Sequence, residues 1–322
     1  ENGQIHVVDH VVMPASTSLP GLLSMQDNTR IFSYLLEVTS WADSMAKYRD
    51  DEYELQDHPQ NYKHIWYGEL LNEPLHHNSG YTAFVEPDSL LEAEWGIKLE
   101  VVNGNVVNWD EVMPVINRKV KEYYPEANSD DPKSLDNALN QFVGYHIIDV
   151  GMAYNNIVIT KGQLGYSYSR PEQLGIDKFE YFETMGKDHR IIKFTLGEQT
   201  EGLRINRYVS EYDNDSYREL EVPIKGLLVQ SGNGAHDNQA LNGFYHMIDG
   251  ILIYNDDVKY KVLNERMRWD TQTMQHELMT NGLRQQPSNI YYMIPDGYMR
   301  KVKFSNQTLM ISINNYSVNW LN

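Results

Sequence analysis

Asn242-Gly-Phe-Tyr-His-Met-Ile-Asp-Gly-Ile-Leu-Ile-Tyr254 repeats a pattern that Asn2-Gly-Gln-Ile-His-Val-Val-Asp-His-Val-Val-Met-Pro14 already carries. Asparagine, glycine, histidine and aspartate fall at the same offsets, and the positions between and after them are mostly apolar in both copies. An internal repeat of this kind marks a recurring structural unit. Asn-Gly suits the positive φ of a tight turn. The run behind it in the first copy is apolar on both alternating faces, Ile5, Val7, Val11 and Met13 on one and Val8 and Val12 on the other. Such a run predicts an inner strand of a packed sheet. His6 and His246 hold one fixed place in this strand, which favours a hydrogen-bonded structural role over that of metal ligand or base.

The chain has 322 residues, a length that suggests two units, and enough apolar residues for a sizeable core. Acidic residues outnumber basic ones 45 to 27 for a formal charge of −18, which argues against duplex nucleic acid or an anionic membrane as partner. Cysteine is absent, excluding disulfides, thiolate metal sites and cysteine nucleophiles. No run of about 18 apolar residues exists to span a membrane. The opening residues already read as a strand, so a trimmed product is expected whose targeting segment lies outside these residues.

Between the two copies the pattern is mixed. Apolar positions 31, 32, 35, 36 and 38 predict a helix capped by Asn28 or Thr29, and a second short helix is expected from 40 to 48. The polar stretch 49–79, with His58, His64, His76 and His77 at irregular spacing and Pro59 and Pro74 as breakers, reads as a solvated insertion. Tyr81 to Val85 predicts a strand that ends before Pro87, with Asp88 or Ser89 capping the next helix. Further helices are expected over 110–123, with Pro114 near the first turn, and over 135–143. The acidic turn 128–132 lacks the glycine and closing glutamate of a calcium loop. From 157 to 229 the pattern is β-like, at 157–159, 191–194, 203–205 and 227–229. A helix from Asp270 or Thr271 and short strands from 290 to 320 complete the chain.

Thr82-Ala-Phe84-Val-Glu-Pro87-Asp88, then Tyr145-His146, then Asn242-Gly243 with His246 and Asp249 resemble, in that order, the three motifs of the fasciclin (FAS1) domains of extracellular adhesion proteins. Glu86 stands where that family usually has a small or apolar residue. The resemblance implies that 1–14 is the last strand of a preceding fasciclin domain, 15–256 one domain lengthened near 49–79, 97–130 and 160–220, and 257–322 a connector helix with the start of a C-terminal β-rich module. The stretch from Leu263 to Arg284 is similar to the segment C-terminal to such domains in surface lipoproteins of Gram-negative bacteria. The fold class expected is therefore α+β, a fasciclin-like β-wedge or sandwich with helices packed at one side and a partial β-rich module at the C-terminus.

The same resemblance implies a non-catalytic module for adhesion or interaction, extracellular or on the outer-membrane surface, anchored by a lipid outside these residues and binding a protein or glycan. No cofactor or metal site is expected. Near-matches to catalytic motifs fail on inspection. His276-Glu277 has Thr280 where a zinc protease needs its second histidine, Gly165-Tyr-Ser167-Tyr-Ser169 lacks the last glycine of a nucleophile elbow, and Ser231-Gly232-Asn233-Gly234 has no lysine for phosphate. One alternative is a glycan-binding accessory of an outer-membrane nutrient-uptake complex, for which Tyr62, Trp66, Tyr67, Tyr166 and Tyr168 are the candidate contacts. The other is a glycoside hydrolase using paired carboxylates, which surplus surface acid makes unnecessary.

Overall fold

The computed structural model describes residues 15–49, 51, 62–63, 70–71, 78–158, 178–196, 202–213, 216–230 and 238–263. Its elements begin with three helices, α1 (Leu19–Ser24), α2 (Arg30–Val38) and α3 (Trp41–Met45), and a short antiparallel pair, β1 (Tyr62–Lys63) with β2 (Leu70–Leu71). Strand β3 (Tyr81–Val85) leads into α4 (Asp88–Trp95), the hairpin β4 (Val101–Val102) and β5 (Asn105–Val106), α5 (Trp109–Tyr123), α6 (Ala138–Tyr145) and β6 (Ile147–Ile148). A β-rich stretch comes next with β7 (Lys178–Glu183), β8 (Ile191–Leu196), β9 (Leu203–Ile205), β10 (Tyr208–Asp213), β11 (Ser216–Ile224) and β12 (Leu227–Leu228). The last strands are β13 (Gln239–Ala240) and β14 (Gly243–Met247).

The run behind Asn242-Gly243 is an inner strand, as its apolar character requires. It lies between β13 and β3 in a four-stranded sheet of order β13-β14-β3-β6, and it runs parallel to β3 from Gly243 opposite Tyr81 to Met247 opposite Val85. A second sheet of order β12-β9-β8-β7 is antiparallel throughout. The two sheets are joined by the bridge between Val229 and Ile248 and by the Met185 N–H donating to the Ile147 carbonyl over 2.8 Å.

Alternation along the inner strands sorts side chains into two cores. Tyr81, Ala83, Val85 and Tyr245 pack with Leu19, Leu23, Phe32, Leu36, Ile116 and Phe142 of the helices. Phe84, Ile148 and Ile248 point the other way and meet Phe182, Ile192, Phe194, Leu203 and Ile205 of the second sheet. The first sheet is thus covered by helices on one face and by the second sheet on the other, an α+β arrangement.

Several expectations change in the structure. The segment 178–229 supplies about half of the second core through Phe182, Ile192, Phe194, Leu203, Ile205 and Val229. Ile157 and Val158 are buried but come after a 3₁₀ turn, Tyr154–Asn156, and form no strand. Pro114 sits in the second turn of α5, where its ring costs the helix one internal hydrogen bond. Thr29 stands at the N-cap position of α2, but its side chain makes no capping bond. The Thr29 hydroxyl donates to the Leu23 carbonyl at 2.9 Å, and the cap comes from Asp88, whose carboxylate accepts the Arg30 and Ile31 N–H groups at 3.0 and 2.9 Å. Asp88 therefore does not cap α4, whose N-cap is Pro87. A carboxylate at a foreign helix N-terminus is favourable because it satisfies orphan donors and faces the positive end of the helix dipole.

Candidate functional site

The residues that carry the fasciclin resemblance lie on or at the ends of β3, α6 and β14. Asn242, buried at the start of β14, uses every polar atom of its side chain. Its Oδ1 accepts the Leu19 N–H that opens α1 at 2.8 Å, and its Nδ2 donates to the carbonyls of Met45 and Lys47 at 2.7 and 2.8 Å. One amide side chain, with an acceptor and two donors, thus pins α1 and the end of α3 to the inner strand. Gly243 is obligatory beside it, since at φ 152° an added Cβ would lie 1.9 Å from the Tyr81 carbonyl oxygen.

The other motif side chains also make contacts within the fold. The Thr82 hydroxyl donates to the Val150 carbonyl at 2.5 Å and accepts the Met152 N–H at 2.9 Å. Phe84 packs on the rings of Phe194 and His246. Pro87 accepts the Leu90 and Leu91 N–H groups at the head of α4. Asp249 accepts the Leu228 N–H through Oδ1 at 2.7 Å and ties the exit of β14 to β12. His246 donates from Nε2 to the Met152 carbonyl at 2.9 Å, with Nδ1 turned toward the Asn238 amide. Burial holds its imidazole below the usual histidine range, so it is a neutral structural residue.

Glu86 and His146 form a pair that the motif alone did not disclose. Both are fully buried, with Glu86 Oε1 2.8 Å from His146 Nε2. Oε1 also accepts the Leu252 N–H at 2.9 Å. His146 Nδ1 lies 2.7 Å from the Phe142 carbonyl, which only accepts, so Nδ1 carries a proton. A carboxylate and a bare ring nitrogen would repel at such a distance, so one further proton is shared between Nε2 and Oε1. The pair is neutral as a whole wherever that proton sits. It links the end of β3, the end of α6 and the segment after β14. The signal in the sequence was a lone acid closing an otherwise uncharged strand, Tyr-Thr-Ala-Phe-Val-Glu.

A second polar group, half-buried, sits nearby. The Arg190 guanidinium stacks over Tyr124 and Tyr254, 5.3 and 4.7 Å from the ring centroids, and donates from Nη2 to Gln141 Oε1 at 2.8 Å. Tyr124 accepts the Tyr254 N–H at 3.2 Å, and burial pushes its phenol up to about 12. Tyr145 donates to the Ile191 carbonyl and accepts from Asn206 Nδ2, each at 3.1 Å, and burial raises its phenol as well. These aromatic and basic partners come from segments distant in sequence, and no local pattern pairs them.

On the surface, the hairpin β4–β5 exposes Val101, Val102 and Val107. Its base is held by Asn108, which accepts the Glu100 N–H and donates to the Lys98 carbonyl, both at 2.9 Å. Close by in sequence, Trp109 stacks on Tyr34 with centroids 3.9 Å apart, both rings half-buried. The candidate glycan contacts Trp66, Tyr67, Tyr166 and Tyr168 lie outside the described residues, as do the motif near-matches at 165–169, 231–234 and 276–280. Tyr62 is described only as part of β1. Among the described residues no group of three or more histidines and carboxylates could hold a metal ion, and no helix is long and apolar enough to cross a membrane. Compared with models of known protein families and with curated proteins, the chain matches none.

Proposed function

We propose that the chain is a fasciclin-type module, spanning about residues 15–256, that binds a protein or glycan at a cell surface and performs no chemistry of its own. The observation that carries this reading is the commitment of the motif side chains. Thr82, Asn242 and His246 spend their side-chain polar atoms on internal hydrogen bonds, His146 spends both ring nitrogens, and the exposed Asp249 spends one carboxylate oxygen. Groups so engaged serve as framework, and recognition falls to loops. The hairpin β4–β5 fits that role, since Asn108 holds its base while its valines face water.

Arrays of glycans and of extracellular proteins, probed with the wild-type chain and with a Val102→Asp, Val107→Asp variant, test the reading. Saturable binding that the variant loses while its circular dichroism is unchanged supports it. Turnover of any glycan on the array, or binding indifferent to the hairpin, refutes it. A surface-protease test on intact cells addresses the location independently, and a shielded protein removes the cell-surface assignment.

A further inference from the structure

Five Asn-Gly pairs occur in the sequence, at Asn2, Asn103, Asn233, Asn242 and Asn281. Two fall among the described residues, and their surroundings are opposite. We propose that Asn103 is a site of spontaneous modification in the folded protein, deamidating through a succinimide to aspartate and isoaspartate, and that the fold protects Asn242 from the same reaction.

The chemistry needs only water. The Gly104 backbone nitrogen loses its proton and attacks Asn103 Cγ, a C–N bond forms, and the side-chain nitrogen leaves as ammonia. Water then opens either carbonyl of the ring, so that asparagine plus water becomes aspartate or isoaspartate plus ammonia. The attack needs an exposed side-chain amide, a following residue without Cβ, and a backbone nitrogen outside any ladder.

Asn103 and Gly104 meet all three conditions. They are the two turn residues of β4–β5, between the paired Val102 and Asn105, with φ of 51° and 83°. Both are exposed, and nothing lies within 4 Å of where a Gly104 Cβ would stand. Ring closure requires the Asn103 backbone and side chain to rotate together, which opening of the hairpin allows. Only the two residue pairs Val101–Val106 and Val102–Asn105 lie between the turn and the base held by Asn108, and so little structure opens at small cost. Asn242 shares the following glycine but not the other two conditions. Its side chain is locked by three hydrogen bonds, and Gly243 is registered against Tyr81 inside the sheet. The Cγ there reaches its neighbour's nitrogen only when the domain unfolds.

The products change the hairpin. Each adds a carboxylate at the tip of the hairpin, and isoaspartate inserts a methylene into a two-residue turn whose length sets the register. Loss of partner binding on ageing follows if the hairpin is the contact surface, a consequence that rests on the function proposed above, whereas the modification does not.

The test is peptide mapping by mass spectrometry with separation of isoaspartyl peptides, on the full chain aged at 37 °C and mildly alkaline pH, folded and in urea. In urea, Asn103 and Asn242 should react at similar rates. In the folded protein Asn103 should stay within about tenfold of its urea rate while Asn242 falls by about 1000-fold or more, the protection given by global stability. Two results overturn the proposal: Asn103 protected as strongly as Asn242, or Asn242 reacting as fast as Asn103 in the folded chain. An Asn103→Gln variant should lose the modified 103 peptide and leave the other peptides unchanged. Persistence of the product there would assign it to another residue and likewise overturn the proposal.

Discussion

Replacing Glu86 by alanine removes the acceptor for two donors at once, the His146 ring at 2.8 Å and the Leu252 N–H at 2.9 Å. Neither donor reaches water, because Glu86 and His146 are fully buried and Leu252 is 1 % exposed. A buried donor left without a partner costs about 1–3 kcal/mol, and breaking a buried ionisable pair from one side costs about 3–5 kcal/mol in all. With a urea m-value of about 2–3 kcal/mol/M, the denaturation midpoint should fall by about 1–2 M. Glutamine should lose less, because its carbonyl keeps the Leu252 bond, yet one oxygen cannot also replace the shared proton at Nε2. The Glu86→Ala, His146→Ala double variant should lose less than the sum of the single losses, with a coupling of about 1–3 kcal/mol. Urea titrations of all variants, followed by tryptophan fluorescence, measure these terms. A Glu86→Ala loss under about 1 kcal/mol, or strict additivity in the cycle, would refute the pairing and its role in holding the segment after β14.

Asn242→Ala should cost about 3 kcal/mol or more by urea titration, since it leaves the Leu19 N–H and the carbonyls of Met45 and Lys47 without their bonds. Gly243→Ala should abolish soluble folded protein, its Cβ overlapping the Tyr81 carbonyl, whereas Gly96→Ala, at φ 67° with open space around it, should cost only about 1 kcal/mol in the same expression and melting assay. Stability should also fall in acid through His246. Its folded pKa is lowered by burial, so below the unfolded value of about 6.5 the unfolded chain binds the extra proton. The contribution is complete above that pH and declines below it by up to about 1.4 kcal/mol per pH unit. A His246→Gln variant should show a shallower decline between about pH 6.5 and 5, and an identical slope would exclude this histidine as the cause.

Local patterns in the chain carried a good part of this architecture. The Asn-Gly motif, read as a turn before a strand apolar on both faces, announced the inner strand behind Asn242-Gly243, the 3.6-residue rhythm from Ile31 to Val38 announced α2, and Tyr81 to Val85 stopped before Pro87 as a strand should. Each of these depends on residues a few positions apart, whose spacing sets which face is apolar. The caps were misjudged because an orphan N–H accepts whichever acceptor the fold delivers. For α2 that acceptor is Asp88, 57 residues from the Ile31 N–H it binds. Within the β-like stretch the strand of 178–183 was not singled out, its charged residues masking Phe182, whose place beside Phe84 and Phe194 in the second core only the fold reveals.

The repeat, the turn glycine, the inner strand and the acidic balance come from the amino-acid order alone, because backbone preference and hydrophobic periodicity act over a single turn or strand. The partners of the buried polar groups do not. Glu86 meets His146 across 60 residues of chain, Asn242 meets Leu19 across 223, and Arg190 lies between tyrosines from two other segments. Packing chooses those partners, since a polar group taken out of water must bond to whatever the closed core places beside it.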